Sequence, residues 1–292
     1  PLLIFFPPHN IMSLEAFFSL LSLLLVCINS HVIFKNINSL IDNFFNFLVK
    51  WNYKILNEEI IMRTCFVDYR ISQLEEKKLK DLNLNIIKVP KHPKLYDAID
   101  GHPDIQINIL NENTLLLAKD SSEELFNSIP KDLNIIKSSY NLEDKYPRNV
   151  ILNAVNLEND FIHNLKFTDP KLIESVKEKN LINIKQGYSK CSIAVVSEKA
   201  LITSDKGIYK ALKPHGFDIL LIPSGDISLP GLDYGFIGGT CGLISKNQMA
   251  FFGNLENHPY GSDIKNFLLK YDVEPIYLSN GKLIDRGSIL TI

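Results

Sequence analysis

The chain has 292 residues, 46% of them hydrophobic and 22% charged, with 31 lysines and arginines against 33 aspartates and glutamates. These proportions fit a globular protein and exclude a nucleic-acid binder, which needs a basic excess to neutralise phosphates. They equally exclude an acidic or low-complexity disordered chain, and length alone gives about two domains at roughly 150 residues each.

Residues 1–61 differ from the rest. They contain no Arg, only Lys35, Lys50 and Lys54, and many Phe, Leu, Ile and Asn. The chain opens on Pro1, which is no initiator. The apolar run Ala16–Ile28 has 13 residues, short of the roughly 20 that span a bilayer, and no basic region precedes it as in a signal peptide. Two readings stay open. Residues 1–61 are a membrane anchor with the body on the cytoplasmic side, or they are translated upstream sequence and the protein starts at Met62. Either way the body, 62–292, is one domain expected in the cytoplasm. The four cysteines, Cys27, Cys65, Cys191 and Cys241, form no CxxC and read as reduced thiols.

From Met62 the chain repeats. Five segments read as a capped amphipathic helix running into a strand. The first, from Ile71, spaces Ser72 and Glu75 as a capping box, and the second does the same with Ser121 and Glu124. In the third, Asp169 caps and Pro170 takes the first helical position. The fourth runs from Ser204 and the fifth from Gly261, each with apolar residues on one helical face before a β-branched run. Between them lie five hairpin signals whose turns begin at Asn111, Asn156, Ser197, Ser245 and Arg286, a period of about 40 to 48 residues. No single unit could bury its apolar face alone. Five units closing into a ring would leave no open sheet edge. The expected architecture is an α/β propeller of five pseudo-symmetric ββαβ blades, and a doubly wound two-lobed sheet is the alternative.

This order of blades resembles the pentein fold of the guanidino-group-modifying enzymes and of a ribosomal anti-association factor. The segment His102-Pro103-Asp104 entering the first hairpin is similar to the proline–aspartate strand of dimethylarginine dimethylaminohydrolases. There the Asp holds the substrate guanidinium, and the resemblance implies that role for Asp104. The body also resembles a clostridial branch of that superfamily without an assigned activity. The resemblance implies a Cys nucleophile in the last hairpin and a His entering the third. Here those places hold Asp285, Arg286 and Gly287, and about Gln186, so the hydrolytic set of that superfamily is not recognisable.

A displaced thiol site is one expectation. Cys241 lies in GFIGGTCG, where Gly238 and Gly239 let backbone approach a ligand, and Asp233 and Tyr234 add polar groups. Cys241 with His102 and Asp104 are the candidate catalytic and anchoring residues, set against a plain buried thiol. Lys190 beside Cys191 is a candidate anion contact, but read as strand neighbours the two face opposite sides. Asp226, Asp233 and Asp285 are further candidate cation contacts, and Arg286 has the fork that matches a ligand carboxylate.

The expected function is binding of a small cationic or amino-acid-like, guanidino or amidino, ligand in an axial pocket. The alternatives are a non-catalytic module for a macromolecular partner, or a thiol hydrolase using Cys241. No cofactor, metal or nucleic acid is expected, since one His-x-Asp is too few ligands at familiar spacing.

Overall fold

The repeat becomes five three-stranded sheets in a computed structural model that describes residues 62–292. The expected anchor or upstream segment, 1–61, lies outside the described residues. In chain order, β1 (Thr64–Asp68) is followed by helix α1 (Gln73–Asp81) and β2 (Asn85–Val89). A single turn, α2 (Pro103–Gln106), leads into β3 (Ile107–Asn111), β4 (Thr114–Leu117), α3 (Glu123–Ser128) and β5 (Asn134–Lys137). The third unit has β6 (Val155–Asn156), β7 (Asp160–His163), α4 (Pro170–Ser175) and β8 (Asn180–Asn183). The turn α5 (Ser189–Ser192) starts the fourth, with β9 (Ile193–Ser197), β10 (Ala200–Thr203), α6 (Lys206–Leu212) and β11 (Asp218–Leu221). A 3-10 turn, Ile237–Thr240, starts the fifth, with β12 (Cys241–Ser245), β13 (Gln248–Phe251), α7 (Gly261–Leu269) and β14 (Glu274–Tyr277). The last strand, β15 (Leu290–Thr291), returns to the first sheet and pairs antiparallel with β1.

Each blade therefore has one plan. An inner strand pairs antiparallel with a middle strand, across a tight turn in blades two to five, and a helix carries the chain to an outer strand parallel to the middle one. Four of the five expected hairpins form. The fifth does not: Ile284 bridges Ser228, and β15 finds its partner in β1 at the other end of the described chain. The reason is the Asp285–Ser288 turn between them. Asp285 folds back onto Gly287 N, and Gly287 and Ser288 both take positive φ, which breaks the strand. The caps follow the sequence reading in α1, with Ser72 and Glu75 bonding reciprocally, and in α4, where Asp169 accepts from Lys171 N ahead of Pro170. In α3 the cap is Ser122 rather than Ser121: its hydroxyl accepts from Leu125 N.

The middle strands are buried on both faces, and their alternation shows why. In β4, Leu115 and Leu117 pack with Phe66 and Val89 of the first blade, while Leu116 packs with Phe161 and Leu172 of the third. In β10, Leu201 joins Ile162 and Ile182 of the third blade, while Ala200 and Ile202 join Met249 and Phe251 of the fifth. In β13, Ala250 joins Cys65 and Val67 of β1. A strand's period of two thus feeds two neighbours at once. The five hydrophobic cores lie one between each pair of adjacent blades, including the fifth and first, so residues 62–292 close into a five-bladed α/β ring.

Candidate functional site

The inner strands β3, β6, β9, β12 and β15 surround the ring axis. One residue or more from each, including Asn108, Asn156, Val195, Leu243 and Thr291, lines a cavity of about 1120 Å³. Glu112, Glu198 and Lys246, in the hairpin turns, also line it. Of the residues expected at an axial pocket, Lys190 and Cys241 line it.

The chemically dense part of the molecule lies where the chain enters the inner strands. Each of the five entrances contributes. Before β3 come His102 and Asp104; before β6, Asn153; before β9, Lys190 and Cys191; before β12, Gly238 and Gly239; before β15, Asp285 and Ser288. His102 and Asp104 are each 1% exposed, Cys191 3%, Asp285 2% and Ser288 0%, so every interaction among them takes place out of bulk water. The Cys191 thiol donates to Asp104 Oδ2 at 3.1 Å. Ser288 Oγ donates to the same oxygen at 2.7 Å, with Gly238 O as alternative acceptor at 2.8 Å. Lys190 Nζ donates to Ser288 Oγ at 3.0 Å. Asn153 ties three segments together: its Nδ2 donates to Asp104 O and to Cys191 Sγ, and its Oδ1 accepts from Lys190 N and Cys191 N.

Asp285 is anchored differently. Its two oxygens accept from Phe236 N at 2.8 Å and Gly287 N at 3.0 Å, and Oδ1 lies 3.9 Å from His102 Nδ1. Gly239 faces this carboxylate so closely that a Cβ there would collide with it. A Cβ on Gly238 would strike the Lys190 and Ile193 carbonyls, which are backbone and cannot swing aside. Gly287, at φ +68°, stands against His102. Gly238 and Gly239 thus admit the close approach of neighbouring entrances.

Burial sets the electrostatics. It pushes the Asp285 carboxyl up to about 7, with Asp104 adding to the rise. It holds the Cys191 thiol well above the usual value, again helped by Asp104 and Asp285. It brings His102 down to about 4, so the imidazole is neutral. Both ring nitrogens of His102 and Oδ1 of Asp104 are buried without a hydrogen-bond partner. His163, equally buried, contrasts with this, since its nitrogens meet Thr168 Oγ1 and Gly187 O. Unpaired buried polar atoms cost about 1–3 kcal/mol each, so a group that satisfied them would be held firmly. Among the described residues, no lysine or arginine nitrogen lies within 4 Å of Asp104 or Asp285.

The remaining expected residues scatter. Cys241 is buried at the floor of the axial cavity, its Sγ 3.5 Å from Ile237 O, and burial raises its thiol to about 11. It is not grouped with His102 and Asp104; Cys191 is. The strand reading that turned Cys191 away from Lys190 is corrected by α5. These residues form a helical turn, which sends Cys191 to Asp104 and Lys190 to Ser288, two partners already bonded to each other. His102 is the extended N-cap of α2, and Asp104 lies in its first turn. Gln186 positions the α5 turn, accepting from Tyr188 N and donating to Asp205. Arg286 is occupied by the first blade, donating to Arg70 O and facing Glu75 at 3.5 Å. Asp226 and Asp233 are exposed, and Tyr234, 43% exposed, stands edge-on to Phe236. Tyr96 and Tyr188 join hydroxyls at 3.2 Å beside the cluster, where burial raises both phenols and the nearby Cys191 adds to the rise. Sequence reasoning missed Asn153, Ser288 and the placement of Cys191. The signal for Ser288 was the turn chemistry of Asp285-Arg286-Gly287, which cannot continue a strand.

A closed ring of five ββαβ blades defines the class: an α/β propeller with the pentein architecture. The chain belongs to a family of unknown function, DUF6873, whose family model matches residues 66–290. No curated protein matches the chain. Among solved structures it is similar to an amidinotransferase from Microseira wollei in the saxitoxin biosynthetic pathway, at 8% identity over 74% of this chain and 88% of that one, with a TM-score of 0.48. It is also similar to a dimethylarginine dimethylaminohydrolase from Pseudomonas aeruginosa complexed with citrulline, at 9% identity over 75% and 93% of the two chains, TM-score 0.46. The inosamine-phosphate amidinotransferase of Streptomyces griseus matches at 10% identity over 72% and 77%, TM-score 0.44.

Proposed function

We propose that the chain binds a small guanidino or amidino cation between Asp104 and Asp285, beside the Cys191 thiol. One observation carries this reading: two buried carboxylates, one with an unpartnered oxygen, stand together with no lysine or arginine paired to them among the described residues. A planar cation with several N–H donors satisfies such acceptors where a hydrophobic ligand would leave them unpaired. The same cation would alter the thiol. With both carboxylates neutralised, the charges that raise Cys191 are offset and thiolate becomes easier to form, next to a neutral imidazole that can accept a proton. Cys191 is then the candidate nucleophile and His102 the candidate acid/base.

A thermal-shift screen of guanidine, methylguanidine, agmatine and arginine, run in chelator, tests this. A ligand at a hundred times its Kd adds about 2.7 kcal/mol, roughly 5–10 °C for a domain of this size. Asp104→Asn and Asp285→Asn should each remove the shift. Hits that survive both changes, or no hit at all, would sink the reading.

A further inference from the structure

We propose that His102, Asp104 and Cys191 form a binding site for a thiophilic divalent cation of the zinc class. Their donor atoms, one from each side chain, lie within 4.8 Å of one another. Tetrahedral donors roughly 2.0–2.3 Å from an ion stand about 3.5 Å apart, so side-chain rotation of about an ångström completes the set. All three residues are at least 97% buried, and two of them aim unpartnered atoms inward: both ring nitrogens of His102 and Oδ1 of Asp104. A buried imidazole with neither nitrogen bonded is a standing cost that a metal would remove.

The donor set selects the ion. A thiolate and an imidazole favour zinc, cobalt or nickel over magnesium or calcium, which prefer carboxylate and carbonyl oxygens alone. Three protein donors leave a fourth position for solvent or an added ligand. Support around the donors is present as well. Asp285 is the carboxylate nearest His102 Nδ1, at 3.9 Å, and Asn153 fixes the Cys191 turn by accepting its backbone N–H. Partners of this kind orient metal ligands and hold the imidazole tautomer. On binding, the Cys191 S–H bond breaks, an S–metal bond forms and the proton leaves to solvent; no electron is transferred.

The inference shares residues with the guanidino reading but does not rest on it, because each can be measured without the other's ligand. The full chain, stripped with chelator and freed of guanidino compounds, is titrated with Co²⁺. One equivalent should produce a near-ultraviolet thiolate-to-cobalt band with visible bands of tetrahedral strength, and Zn²⁺ should displace it. Cys191→Ser should abolish the near-ultraviolet band, while His102→Gln and Asp104→Asn should weaken binding about tenfold or more. Cys241→Ser should keep both the band and the affinity. Absence of the band in the folded wild-type chain, or its persistence in Cys191→Ser, would overturn the site. So would its loss in Cys241→Ser with circular dichroism unchanged.

Discussion

Two thiols at neighbouring inner-strand entrances have opposite surroundings. Cys241 meets a carbonyl, whereas Cys191 meets a carboxylate, an amide and, within 4.8 Å, an imidazole nitrogen. The sequence points to His102 and Asp104, since a proline turn presenting two polar residues before an apolar strand is unusual. It does not point to Cys191. Whether Ser189–Ser192 coils or extends is decided by Asn153, 37 residues away, which accepts from two of its backbone N–H groups. Glycine, by contrast, was legible but for another reason. Gly238 is required by the Lys190 and Ile193 carbonyls of the neighbouring blade. Gly238→Ala should therefore cost about 1–3 kcal/mol through overpacking, read as a lower urea midpoint at unchanged m value.

At the scale of elements, the helix caps and four of the hairpins are local events, and short-range pattern finds them. Ser72 and Glu75 close a capping box within four residues, and Glu75 also faces Arg286, so the start of α1 braces the turn that carries Asp285 and Ser288. Ser72→Ala should lower stability by about 1 kcal/mol while leaving any guanidino-induced thermal shift in place, because the substitution leaves the Glu75 carboxylate facing Arg286. A lost ligand shift would mean that the cap sets the site's geometry and is not merely a local stabiliser. The fifth hairpin was misread because β15 is two residues long and its partner lies more than 200 positions earlier. Pairing over that distance is set by ring closure, which no local window contains.

For residues 62–292 as a whole, pseudo-symmetry explains both the stability and the site. Middle strands that feed two cores at once need apolar side chains on both faces, which is why their centres read as uninterrupted apolar pairs or triplets such as Leu115–Leu117, Phe161–Ile162 and Leu201–Ile202. The inner strands converge on one axis, and each entrance brings its polar residues to the others. Five modest contributions become one buried cluster, although no single segment carries a recognisable active-site motif. The repeat was therefore legible in the sequence and the assembled site was not. The central claim, that Asp104 directs a small cation onto Cys191, is tested most directly by paired alkylation with mass-spectrometric site assignment. Chloroacetamidine, a cation, and iodoacetamide, its neutral counterpart, are each applied to the wild type and to Asp104→Asn. The cation should modify Cys191 ahead of Cys65 and Cys241, and Asp104→Asn should slow that reaction about tenfold, a loss of about 1.4 kcal/mol. The neutral reagent should react no more slowly with the variant, since removing a carboxylate eases thiolate formation. Cationic labelling that favours Cys241, or that keeps its rate in Asp104→Asn, would contradict the account.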